Sequence, residues 1–118
     1  MSESWRIKIT TMANFLLIYS GGSGMAPTPT EQAATMQAWG AWFTKLGPAV
    51  VDGGNPTIPN AKHVSAGGKV GDGAVGTLAT GYSILKADTM TAAVEMAKGC
   101  PVLLGGGQVS VYETVPAM

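Results

Sequence analysis

Phe15-Leu16-Leu17-Ile18-Tyr19, then Thr28-Pro29-Thr30-Glu31 and a helical pattern that halts at Gly47, is the stretch that decides the fold. Five apolar residues in a row read as a strand, Asn14–Ser20, apolar on both faces and therefore central in a sheet. Thr28 sits at the N-cap, Pro29 suits the first helical position, and Glu31 three residues after the cap makes a capping box. Met36, Trp39, Phe43 and Leu46 then recur at helical spacing with Trp42 alongside, before Gly47-Pro48 stops the helix. The same grammar returns further on. Gly81-Tyr82-Ser83-Ile84-Leu85 leads to Asp88 as a natural N-cap, to a helix over Thr89–Lys98 and to a stop at Gly99 and Pro101. Met90, Ala93, Val94 and Ala97 share one face of that second helix.

The remaining segments fill in around these two strand–helix units. Ala49-Val50-Val51-Asp52 is a short strand closed by Gly53-Gly54. From Asn55 to Gly76 the chain is rich in glycine and proline and predicts a hairpin, His63-Val64-Ser65 with Lys69-Val70, around Gly67-Gly68. Thr80–Lys86 is the third main strand, and Val109, Val111 and Val115 mark a closing strand after Gly105-Gly106-Gly107. The order is β-α-β, a hairpin insert, then β-α-β. It predicts an α+β, ferredoxin-like split βαβ fold: a four-stranded antiparallel sheet with both helices on one face. The other face then carries part of the apolar content of the strands. A bare patch above a few hundred Å² is unusual in a monomer, so the expectation is a homodimer packed sheet against sheet.

Composition narrows the partners. The chain has 118 residues, enough for one domain with a modest core. Its 46% hydrophobic content is ordinary for a globular protein, whereas its 12% charged content is about half the usual share. Seven basic and seven acidic residues cancel, which argues against a nucleic-acid or anionic-membrane partner, since either needs a basic excess. The apolar run from Phe15 to Tyr19 is far short of the roughly 20 residues that span a bilayer. It is also a poor core for a signal peptide behind Arg6 and Lys8. One cysteine, Cys100, excludes an intrachain disulfide and fits a reducing, cytoplasmic compartment. Met12 opens the domain, 12–118. Met1–Thr11 is then an appended segment whose Trp5-Arg6-Ile7-Lys8-Ile9 either adds a short strand or stays loose.

Few residues carry chemistry. Gly21-Gly22-Ser23-Gly24 lies between a strand and a helix, but it lacks the Lys-Ser/Thr of a phosphate loop and reads as a flexible loop. His63 is the only histidine, so any mechanism that needs an imidazole must use it; its plain reading is a solvent-facing or hydrogen-bonded hairpin residue. Asp52 and Asp72 precede glycines and are turn residues first, though a carboxylate at a strand end also suits acid/base work. Trp39, Trp42 and Phe43 read as core packing. Tyr19 and Tyr82, on strands, can turn their hydroxyls to a cavity or to a partner at the sheet edge. Cys100 reads as a buried thiol with no base beside it. One histidine, one cysteine and scattered acids form no metal-ligand cluster, and no motif implies a cofactor.

From about Met12 to Val115 the chain resembles the YCII-related family, in particular its Asp-Gly-Pro-Phe branch. The carrying residues are Phe15–Tyr19 with its following glycines, Pro29-x-Glu31, Met36-Gln37-Ala38-Trp39-Gly40-Ala41-Trp42 and Leu46-Gly47. Gly81-Tyr82-Ser83-Ile84, Ala92-Ala93-x-Glu95-x-Ala97-x-x-Cys100-Pro101 and Gly106-x-x-Val109 continue the match. The resemblance implies a ferredoxin-like fold pairing into a dimeric α+β barrel. Asp-Gly-Pro-Phe stands here as Asp72-Gly73-Ala74-Val75, so Asp72 alone matches a motif position. Other branches are thought to use a His/Asp pair with the histidine early in the first helix. The first helix of this chain has none, and that pair is not carried over.

Two functions follow as expectations. The first is a homodimer that binds a small ligand or acts as an accessory, with Tyr19 and Tyr82 at the ligand. The alternative is a cofactor-free lyase or isomerase acting on a small organic molecule in the barrel cleft, with His63 or Asp72 moving a proton.

Overall fold

The computed structural model of the protein describes residues 12–22 and 28–116. The appended segment before Met12 and most of the glycine loop after Gly22 lie outside the described residues.

Strand β1 (Ala13–Gly21) is followed by helix α1 (Pro29–Leu46), β2 (Val50–Asp52), β3 (Lys62–Val64), β4 (Val70–Asp72), β5 (Ala79–Ala87), helix α2 (Met90–Ala97) and β6 (Gly107–Glu113). The main sheet has four strands in the order β2-β5-β1-β6, every neighbouring pair antiparallel. β3 and β4 form a separate two-stranded sheet. The fold is therefore α+β with a four-stranded antiparallel sheet and two helices, as the strand–helix order predicts.

Strand alternation sorts the sheet into two faces. On β1, Phe15, Leu17 and Tyr19 are buried while Leu16 and Ile18 are only half-covered. On β5, Ser83, Leu85 and Ala87 are buried, and Tyr82 and Ile84 are half-covered. Phe15, Leu17 and Leu85 pack with Trp42 of α1 and with Ala93 and Ala97 of α2 in one core. Each large side chain fully buried there is worth roughly 1.5–3 kcal/mol over its exposed state. The opposite face, with Leu16, Ile18, Ile84 and the exposed Tyr112, carries no element of this chain among the described residues.

The two helices cover the sheet differently. α2 turns alanines inward and comes within 8 Å of β1, β5 and β6, backbone to backbone. α1 reaches the core through rings: Trp42 Nε1 donates to the Met96 carbonyl at 3.0 Å, tying α1 to the end of α2. The start of α1 is as predicted, with the Thr28 hydroxyl accepting from Glu31 N at 3.1 Å. The reciprocal bond runs from that hydroxyl to the Glu31 carboxylate (3.0 Å) rather than from the Thr28 backbone.

Three sequence expectations are corrected. Thr89, not Asp88, caps α2: its hydroxyl accepts from Ala92 N at 3.0 Å. The cap must stand immediately before the first helical residue to reach the third amide, and Thr89 occupies that place. The closing strand ends at Glu113, leaving Val115 exposed beyond it. In the hairpin, Asp72 lies inside β4, paired with Lys62, while His63 pairs with Gly71.

Candidate functional site

A cleft of about 320 Å³ opens where α1, the β1–β5 pair and the stretch after β2 meet. Its aromatic wall comes from helical spacing. Trp39 and Phe43 are four residues apart and so share one face of α1, one turn above the other. Met36 lies on the same side, three residues before Trp39. Trp39 packs edge-on against Tyr19 with ring centres 5.2 Å apart, and it tilts against Phe43 at 5.9 Å. Such pairs contribute about 0.5–1.5 kcal/mol beyond area burial and fix ring orientation. Val102 closes one side and Gly53–Pro56 form the facing rim.

That rim is fastened to β5. The Asn55 carbonyl accepts from Tyr82 N at 3.2 Å, and Thr57 N donates to the Thr80 carbonyl at 3.0 Å. The Asp52 carboxylate accepts from Gly54 N at 2.8 Å, so Asp52 makes the turn its Asp-Gly-Gly context predicts. Gly54 has φ +76°, and a Cβ there would run into the Tyr82 carbonyl. Only glycine lets the rim lie this close to the strand.

Beneath the cleft floor runs a buried polar relay. The Tyr19 hydroxyl donates to Ser83 Oγ at 2.6 Å, and the Ser83 hydroxyl donates to the Gly53 carbonyl at 2.7 Å. Ser83 is completely buried and Tyr19 nearly so, and every polar atom in the relay has a partner, as burial requires. The relay links the sheet interior to the rim. Burial pushes the Tyr19 phenol well above its usual range, and its bond to Ser83 offsets this only in part. The buried Cys100 thiol beside it is likewise raised by burial. Both groups are therefore neutral at pH 7.

The structure separates the four residues singled out from sequence into two pairs. Tyr19 and Tyr82 both border the cleft. His63 and Asp72 do not: they belong to the β3–β4 hairpin, away from the cleft walls. The His63 ring lies across Gly71, and Nδ1 is 3.1 Å from the Gly73 carbonyl. A carbonyl only accepts, so Nδ1 carries the proton of that bond. The Asp72 carboxylate is exposed and bonded to the Lys62 ammonium. An exposed pair of this kind contributes about 0–1 kcal/mol.

Among the described residues there is no group of three or more His, Cys, Asp or Glu side chains placed to hold a metal. Nor is any helix there long and apolar enough to cross a membrane. A second hollow, about 500 Å³, lies between residues 12–14 and 113–116. Its walls are strand ends and following loop rather than packed side chains.

Trp39 and Phe43 are the site residues that sequence reasoning passes over. Their spacing marks an apolar stripe, and a stripe reads the same whether it is sealed or left as a cleft wall. The available signal is the unequal length of the helices: eight residues in α2 against eighteen in α1, about 12 Å against 27 Å.

What the fold and cleft define is a small α+β protein with an apolar, aromatic-walled cleft. No family model matches the chain, and no curated protein matches it.

Proposed function

We propose that this protein binds a small, uncharged, mainly apolar molecule in the Trp39–Phe43 cleft, and that it does so as a homodimer. The observation that carries the reading is the composition of the walls. Rings, a methionine, a valine, a proline and glycine backbone make up most of the cleft lining, with Thr35, Asn55 and Thr80 as neutral polar residues and without any Asp, Glu, Lys, Arg or His. A ligand charge would be desolvated there without a partner, at a cost of several kcal/mol. Pockets of about 300–1,000 Å³ suit small molecules, and this one lies at the lower end.

The dimer reading is supported by the open face of the main sheet, where Leu16, Ile18, Ile84 and Tyr112 stand without a covering layer among the described residues. Pairing two such faces gives the dimeric α+β barrel that the YCII-related resemblance implies, and the strand order is compatible with membership of that family. The lone buried cysteine agrees with a cytoplasmic setting. A lyase or isomerase reading needs a proton carrier at the ligand. His63 and Asp72 lie outside the cleft, and the Tyr19 phenol is committed to Ser83 and held neutral, which favours binding over proton transfer.

Saturation-transfer NMR with indole and with benzoate tests the reading. Indole at millimolar concentration is expected to receive saturation and benzoate to receive little. Trp39→Ala should abolish the indole signal while the fold persists by circular dichroism. Equal transfer to both probes, or none to indole, contradicts the proposal.

A further inference from the structure

Among the described residues, the hairpin insert has little support from the rest of the fold. Between Thr57 and Leu78 no residue is buried. The β3–β4 ladder is not part of the main sheet. Among the described residues, the hydrogen bonds that tie the segment to the main sheet lie at its base: the Pro56–Gly81 bridge, Thr57 N donating to the Thr80 carbonyl at 3.0 Å, and the Thr57 hydroxyl donating to the Ala79 carbonyl at 2.9 Å. Its own ties are short-range: Ser65 N to the Lys69 carbonyl at 2.7 Å and Gly73 N to the Ala61 carbonyl at 2.8 Å. An isolated two-stranded hairpin is marginal in water. This one also displays apolar side chains, with Ile58, Val64, Val70 and Val75 each at least 66% exposed.

Register sorts the hairpin's faces. Val64 stands directly opposite Val70, and Lys62 opposite Asp72, so the valine pair and the ion pair share one face. His63 lies across Gly71 on the other. One face of the arm is thus a small apolar platform with a neutralised charge pair at its edge.

We propose that residues 57–78 form an arm that packs its Val64/Val70 face on a second copy of this chain, beside that copy's open sheet face. The inference rests on the homodimer reading above and extends it. The size of the interface is the argument for this occupant. Alternating positions on four strands supply only about a dozen outward residues, whereas a standard interface uses roughly 20–30 residues on each side. The arm supplies residues of the kind that are missing. Two-fold symmetry places each arm on the other copy, so every arm contact counts twice. The formal net charge of zero leaves no overall repulsion between copies.

Sedimentation velocity on the full chain over 0.1–100 µM, combined with amide hydrogen exchange, tests the arm separately from the sheet. The wild type is expected to be dimeric at micromolar concentration, with the Val64 and Val70 amides losing protection on dilution. Val64→Lys/Val70→Lys should weaken dimerisation at least 100-fold while its thermal unfolding, followed by circular dichroism, keeps a cooperative transition. Ile18→Lys/Ile84→Lys should be monomeric. An arm variant that dimerises like the wild type overturns the arm inference and leaves the homodimer reading standing. A wild-type monomer overturns both. Arm amides that stay protected on dilution and lose protection in a chain starting at Met12 overturn the arm inference, assigning the arm to residues 1–11 instead.

Discussion

The sheet's covered face is closed in two ways. Under α2 the contacts are Ala93 and Ala97, and the helix lies close enough to seal Phe15, Leu17 and Leu85. Under α1 the contacts are Trp39, Trp42 and Phe43, which bridge a wider gap and leave a cleft beside Tyr19. Small inward residues make a core; large ones make a core with an opening at its edge. Both halves share one sheet, so a substitution reports on which regime its site belongs to.

The largest effect belongs to the sealed half. Phe15→Ala is expected to cost about 3–5 kcal/mol in urea unfolding, because a completely buried ring leaves a cavity its neighbours cannot fill. A cost below 1 kcal/mol would mean that this half is loosely packed. Ala93→Leu at the same contact should destabilise by about 1–3 kcal/mol through overpacking, read in the same titration. A neutral result would place α2 further from the sheet than described.

Across the boundary, Ser83→Ala removes the link between the Tyr19 hydroxyl and the Gly53 carbonyl. It should cost about 1–3 kcal/mol by taking away the acceptor of the Tyr19 hydroxyl and the side-chain donor to the Gly53 carbonyl. Adding Tyr19→Phe should recover part of that loss, since the stranded hydroxyl goes with it. Additive costs in the double-mutant cycle would break the relay into unrelated contacts.

The phenol also gives a pH signature. Its folded pKa is raised by burial above the ordinary value near 10. The stability it contributes is fully present below about pH 10 and is lost as pH rises toward the folded value, because only the unfolded state releases the proton. The slope is about 1.4 kcal/mol per pH unit for each such group. Cys100, shifted in the same direction, starts its loss at a lower pH. Tyr19→Phe should flatten the alkaline limb in unfolding followed from pH 8 to 11; an unchanged limb would contradict the assignment. The smallest effect is on the hairpin: Asp72→Asn should change stability by no more than about 0.5 kcal/mol, since it removes an exposed ion pair.

Much of this architecture is legible from residue order. The apolar run at 15–19, the Thr28-Pro29-x-Glu31 start and the glycine stops place both helices and the central strands, because caps and periodicity are local signals. The cap of α2 is misplaced by one residue, since Asp88 and Thr89 are both good caps and only the backbone decides between them. Asp52 is readable as a turn residue because its partner, Gly54 N, is two residues away. The relay is not readable: Tyr19 and Ser83 are 64 positions apart, and their meeting depends on the β1–β5 register, in which Tyr19 pairs with Gly81 and Leu17 with Ser83. Nor is the cleft. It arises from the different standoff of two helices, a tertiary quantity that an apolar stripe at Trp39 and Phe43 does not encode.

Amide and indole N–H chemical shifts recorded during an indole titration test the central claim most directly. Perturbations are expected at the Trp39 side chain and at Gly53, Gly54 and Gly81, with Leu16, Ile18 and Ile84 on the open face unmoved. Shifts confined to the open face, with the Trp39 signal unchanged, would contradict the account.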